Sequence, residues 1–106
     1  MWPAPSPLST LDELQAWYAS QCDGDWEHGY GVRIETLDNP GWGVRIELAD
    51  TELEGVPFDP VVDTDREDDW LHLQVRDGQF YGSGDPSKLG VILRAFLDWA
   101  RPHAAT

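Results

Sequence analysis

A chain of 106 residues has room for one domain and one hydrophobic core. Its hydrophobic content of 41%, with six tryptophans, excludes wholesale disorder despite a formal net charge of −13. Twenty Asp and Glu against seven Lys and Arg repel phosphate, which argues against nucleic acid or an anionic membrane as partner and favours a basic protein surface. The plain alternative is that acidity serves solubility alone.

Met1-Trp2-Pro3-Ala4-Pro5-Ser6-Pro7 has three prolines, no basic start and no long apolar run. It reads as neither signal peptide nor membrane span but as a disordered leader over residues 1–8, ahead of one domain at 9–101 and a flexible tail at 102–106. Cys22 is the only cysteine, so an intrachain disulfide and a cysteine zinc cluster are excluded, and a reducing cytoplasm suits the chain.

Thr10-Leu11-Asp12-Glu13 has the form of a capping box and predicts a helix beginning at Thr10. Leu11, Leu14, Tyr18 and Cys22 recur on one face with Trp17 beside them, and Asp23-Gly24 ends the helix. Tyr30–Thr36 and Trp42–Leu48 alternate apolar and polar residues, as half-buried antiparallel strands do, with the turn at Asp38–Gly41. Charge predicts their register: pairing Ile34 with Ile46 sets Arg33 against Glu47 and Glu35 against Arg45, whereas pairing Ile34 with Val44 sets Arg33 against Arg45.

Val56–Val62 carries two prolines and suits a short edge strand, followed by a charged loop at Asp63–Asp69. Trp70–Arg76 alternates with Leu71, Leu73 and Val75 inward; Asp77-Gly78 predicts a hairpin returning through Gln79–Gly82, with Phe80 facing Val75. Asp85-Pro86 predicts a helix start, and Leu89, Ile92, Leu93, Phe96, Trp99 and Ala100 form its apolar stripe up to Arg101-Pro102. The fold class is therefore α+β: a four- to five-stranded antiparallel, meander-like sheet with an N-terminal and a C-terminal helix on its apolar face.

Reactive chemistry finds little support. His28, His72 and His103 are not at metal-ligand spacings, and Asp23–His28 starts like a calcium loop but has His28 where Gly is required and Ile34 where a closing Glu belongs. Cys22 lies near a helix C-terminus beside Asp23 and Asp25, a setting that suits a packed core thiol better than a nucleophile. No phosphate-binding glycine pattern occurs. The expectation is a chain with no cofactor, no metal and no catalytic residue.

Binding is better supported. Asp63, Asp65, Glu67, Asp68 and Asp69 run up to Trp70, whose strand position puts it with His72 and Gln74, away from Leu71 and Leu73. An aromatic bordered by carboxylates has the composition of a hot spot for a basic protein surface; the alternative is a solvated loop with Trp70 packed beneath. Asp23, Asp25, Trp26 and Glu27 repeat the mixture as a second candidate.

Several long words in the chain resemble the immunity protein 53 family. They are Leu14–Tyr18, Gln21–His28, Gly31, Ile34, Thr36–Trp42, Leu53–Gly55, Glu67–Leu71 and Phe96–Trp99, covering about residues 11–100 and leaving out the leader and the Arg101–Thr106 tail. The resemblance implies a component of bacterial polymorphic toxin systems, encoded beside a toxin and blocking it in the producing cell, with no activity and no cofactor of its own. It brings no map of toxin contacts. Together with the charge, it leads us to expect a free monomer that neutralises a toxin with a basic surface, plausibly a nuclease. A thiol-dependent enzyme using Cys22 and a general acidic adaptor are the alternatives.

Overall fold

The computed structural model describes residues 9–103; the leader at 1–8 and the last three residues of the tail lie outside the described residues. Its elements are α1 (Thr10–Gln21), α2 (Trp26–Gly29), β1 (Val32–Leu37), β2 (Gly41–Glu47), β3 (Val61–Arg66), β4 (Asp69–Arg76), β5 (Gln79–Gly84) and α3 (Leu89–Ala100), closed by a 3₁₀ turn at Arg101–His103. This is an α+β architecture with one five-stranded antiparallel sheet in the order β1-β2-β5-β4-β3. The strands depart from sequence order at one place: β5 sits between β2 and β4, so the hairpin β1–β2 and the meander β3–β4–β5 join through β2 and β5.

Alternation decides which face is buried. Val44 and Ile46 of β2, Phe80 and Gly82 of β5 and Leu73 of β4 turn to one side and are buried there. On that side α3 lies against β5 and β2 through Ile92, Leu93, Phe96 and Leu97. Phe80 and Phe96 meet at 5.2 Å between ring centres, and Phe58 packs edge-on against Phe80 at 5.6 Å. Each such ring contributes about 1.5–3 kcal/mol by leaving water. α3 can approach the sheet this closely because Gly82 has no Cβ; one there would collide with the Ile92 side chain.

α1 starts where the sequence places it, but its cap lies one residue earlier. Ser9 Oγ accepts from the Asp12 backbone N–H at 3.0 Å. Glu13, expected to complete a capping box, reaches α3 instead and accepts from Arg94 at 2.7 and 2.9 Å and from Arg101 at 2.6 Å. That pairing rotates α1: Leu14 and Trp17 are buried, while Leu11, Tyr18 and Cys22 are exposed. The expectation of a packed core thiol is corrected accordingly, since the helix turns its Cys22 stripe to solvent in order to pack Trp17 on Phe96 at 4.9 Å.

The predicted hairpin register is also corrected. Ile34 pairs with Val44, Arg33 with Arg45, Thr36 with Trp42 and Leu37 with Gly41. Turn chemistry overrides charge here. This register keeps the turn formers Asp38, Asn39 and Pro40 together in the connection, whereas the charge-matched one draws Asp38 into the ladder opposite Trp42. Cross-strand charge pairs contribute only about 0.2–1 kcal/mol each, too little to compensate.

Two further segments differ from expectation. The edge strand runs over Val61–Arg66 rather than Val56–Val62, and most of the expected acidic loop is therefore strand, turning only at Glu67 and Asp68. Asp and Glu are poor strand formers, so an acidic strand reads as a loop; charge on an edge strand also discourages pairing with other chains. At the last helix, Asp85 does not serve as its N-cap: residues 85–88 form a turn and α3 starts at Leu89, because the Asp85 side chain is drawn to β4.

Candidate protein-binding surface

The β3–β4 hairpin presents the first candidate. Asp63, Glu67, Asp68 and Asp69 are all exposed, and Arg66 pairs across to Asp69 at the tip. Asp65 belongs to β3, but its side chain lies outside the described residues. Trp70 is half-buried. It stands on the sheet face opposite the helices, its ring edge lying over the Cβ-less Gly41 two strands away.

The base of the hairpin is fixed by Asp85. Its carboxylate accepts from the Trp70 backbone N–H at 2.9 Å, from the Ser87 N–H at 2.8 Å and from the Ser87 hydroxyl at 2.6 Å. Lys88 Nζ bridges Asp85 at 2.7 Å and Asp69 at 2.6 Å. The Lys88 ammonium and then the Ser87 hydroxyl hold the Asp85 carboxyl well below the usual carboxylate range, and Asp69 followed by Asp85 raises Lys88. Asp69 is thus partly neutralised, whereas Glu67 and Asp68 at the tip make no ion pair among the described residues. Sequence reasoning missed the role of Asp85 because Asp-Pro before an apolar stripe equally describes a helix cap.

The second candidate divides. Trp26 is only 4% exposed: its indole N–H donates to the Ala49 carbonyl at 2.9 Å and its ring meets Trp17 edge-on. As a surface contact it is corrected, since the short helix α2, unforeseen in the sequence, turns it into the core. Asp23 Oδ1 accepts from the Asp25 and Trp26 backbone N–H groups, and Glu27 accepts from those of Asp23 and Gly24. These donors, that of Trp26 first, lower the Asp23 pKa, and backbone N–H groups lower that of Glu27. Both carboxylates therefore shape the turn, and Asp25 is exposed beside them. The sheet register puts this loop and the β3–β4 tip at opposite ends of the strands, so the two acidic candidates do not form one patch.

The chemistry-bearing side chains stay apart. Cys22 is exposed, and its thiol donates to the Tyr18 carbonyl at 3.4 Å. Among the described residues no group of three or more His, Cys, Asp or Glu converges as a metal cage, and no helix is long and apolar enough to cross a membrane.

Comparison with known proteins adds one decisive finding. The family model for immunity protein 53 matches residues 11–101. The chain belongs to the immunity protein 53 family. The match runs from α1 through α3, and both acidic candidates lie within it. No curated protein and no solved structure matches the chain.

Proposed function

We propose that this chain neutralises a cognate bacterial toxin domain by binding it stoichiometrically, with no turnover of its own. Membership of the immunity protein 53 family carries the reading. The net charge of −13 supports a basic target, such as a nuclease whose nucleic-acid groove is positive; in this reading a free monomer meets it in the cytoplasm of the producing cell. Glu67 and Asp68 at the hairpin tip, with Trp70 at the start of β4 and Asp63 further down β3, form the contact, and Asp23, Asp25 and Glu27 contribute to long-range attraction. Steering of this kind raises association rates by about ten to a thousand fold and weakens with salt.

Co-expression with the toxin domain encoded beside this chain tests the reading. Rescue of growth and a one-to-one complex are expected; neither rescue nor complex would discard it. For the tip itself, Glu67→Lys with Asp68→Lys is expected to slow association, and Trp70→Ala to speed dissociation. Unchanged rates in both move the contact away from the tip. A Cys22-dependent activity is tested separately by alkylation of the folded protein, and a thiol no faster than that of a free peptide removes it.

A further inference from the structure

The sheet face opposite the helices is uncovered, and its charge is the reverse of the molecule's. Cross-strand pairing places its side chains in rows: Glu47, Gln79 and Arg76; then Arg33, Arg45, Tyr81 and Gln74; then Glu35, Gly43, Ser83 and His72. Within these three rows on β1, β2, β5 and β4, three arginines against two glutamates give a formal charge of +1 in a chain of −13.

The arginines of this face are exposed. Lys88, Arg94 and Arg101 all hold carboxylates, yet among the described residues Arg33, Arg45 and Arg76 form no ion pair, nor does Arg66 at the hairpin tip. In a chain with twenty acidic residues, a cation without a partner needs a reason. Arg76 has one, its guanidinium lying 5.2 Å from the centre of the Tyr81 ring. Arg33 and Arg45 have none. They stand directly opposite each other, in the register that forgoes their matches with Glu47 and Glu35, and Glu47 is engaged by Gln79 at 2.7 Å. Like charges set across a strand pair are unfavourable, and such local conflicts concentrate at functional sites.

Arg33 and Arg45 line a cleft of about 440 Å³ together with His28, Tyr30, Gln79 and Glu47, the last held by Gln79. On the other side of Arg45 a shallower trough of about 200 Å³ runs over Gly43 and Ser83, walled by Tyr81 and His72. A paired-arginine cleft is shaped for a carboxylate held by forked hydrogen bonds. We infer that the uncovered sheet face docks a partner protein, with Arg33 and Arg45 together receiving an acidic side chain of that partner. The inference rests on the toxin-binding reading and deepens it: the complex gains a contact of opposite polarity to the acidic tip. Two contacts of opposite sign fix a partner's orientation, which one acidic patch does not.

The toxin domain encoded beside this chain is the probe, titrated calorimetrically against wild type, Arg33→Ala, Arg45→Ala and Arg101→Ala. About tenfold or greater loss of affinity is expected for Arg33→Ala and Arg45→Ala, with Arg101→Ala, whose arginine lies outside both this face and the acidic tip, unchanged. Thermal melting of the two alanine variants is expected at or above the wild-type temperature, because each removes one of two like charges. Affinity within twofold of wild type for both variants overturns the inference and leaves toxin binding standing. Failure of the wild-type chain to bind removes both. Binding of a single-stranded oligonucleotide that is lost in the same variants would assign the pair to phosphate and overturn it too.

Discussion

Trp70 and Asp85 exchange two hydrogen bonds: the Trp70 N–H donates to Asp85 Oδ2 at 2.9 Å, and the Asp85 N–H donates to the Trp70 carbonyl at 3.2 Å. The second is a strand-type bond; the first uses a nearly inaccessible carboxylate that also holds Lys88. One side chain thereby joins the start of β4 to the entry of α3 and fixes the base of the acidic hairpin. Asp85→Ala is expected to lower the urea midpoint and to expose the Trp70 amide to rapid hydrogen exchange, because Lys88 loses its shielded partner and the Trp70 N–H its acceptor. Wild-type exchange at Trp70 would show the tie to be redundant.

Glu13 makes the corresponding connection between the two helices. Arg94 foremost, and Arg101 with it, hold its carboxyl down from 4.5 to about 2. A carboxyl whose pKa is lower in the folded state stabilises that state above its unfolded pKa and ceases to do so as pH falls through the folded one. The contribution is therefore complete above about pH 4.5 and drains away towards pH 2. Arg94 is one-third exposed and solvent screens the pair, so about 1–2 kcal/mol is at stake. Glu13→Gln is expected to lose that amount at pH 7 and to flatten the decline between pH 4.5 and 2 seen in chemical melts. An acid limb as steep as in wild type would assign the pH dependence elsewhere.

What the sequence makes legible is what periodicity governs. β2, β4, β5 and α3 follow their apolar spacing, and Phe80 meets Val75 as alternation requires. What it hides depends on partners distant in sequence. Glu13 looks like a capping residue until Arg94 is brought beside it, and Asp85 like a helix cap until β4 supplies the Trp70 N–H. β3 is masked by its own acidity. Trp26 stands among carboxylates in the sequence, yet the carbonyl of Ala49, distant along the chain, claims its indole. The tip carboxylates were readable from composition. The arginine pair was not, because it exists only in the register that charge argues against.

Gly82 gives a steric test of the interface between helix and sheet. A Cβ there would meet the Ile92 side chain and then Leu73, both in the core. Gly82→Ala is expected to destabilise by about 1–3 kcal/mol through overpacking, and Gly82→Ala with Ile92→Ala to cost less than the sum of the two single changes, because the second removes the Cγ2 that the new Cβ meets. A double variant less stable than the sum of its parts would mean that α3 shifts as a body.

Trp17 and Trp26 touch each other, and their polar ends differ. Trp26 Nε1 has the Ala49 carbonyl as acceptor; Trp17 Nε1 is buried with no partner among the described residues. Exchange for Phe removes a similar volume at both sites, but only at Trp26 does it strand a carbonyl, whereas at Trp17 it removes an unpaired donor whose burial already carries a cost. Trp26→Phe is therefore expected to lose about 1–3 kcal/mol more than Trp17→Phe in urea melts. Since Trp26 is enclosed, its variant should associate with the toxin domain at the wild-type rate whenever it is folded, unlike the tip variants. Equal losses at the two sites would imply that Trp17 has an acceptor after all; a slower association in folded Trp26→Phe would return α2 to the contact surface.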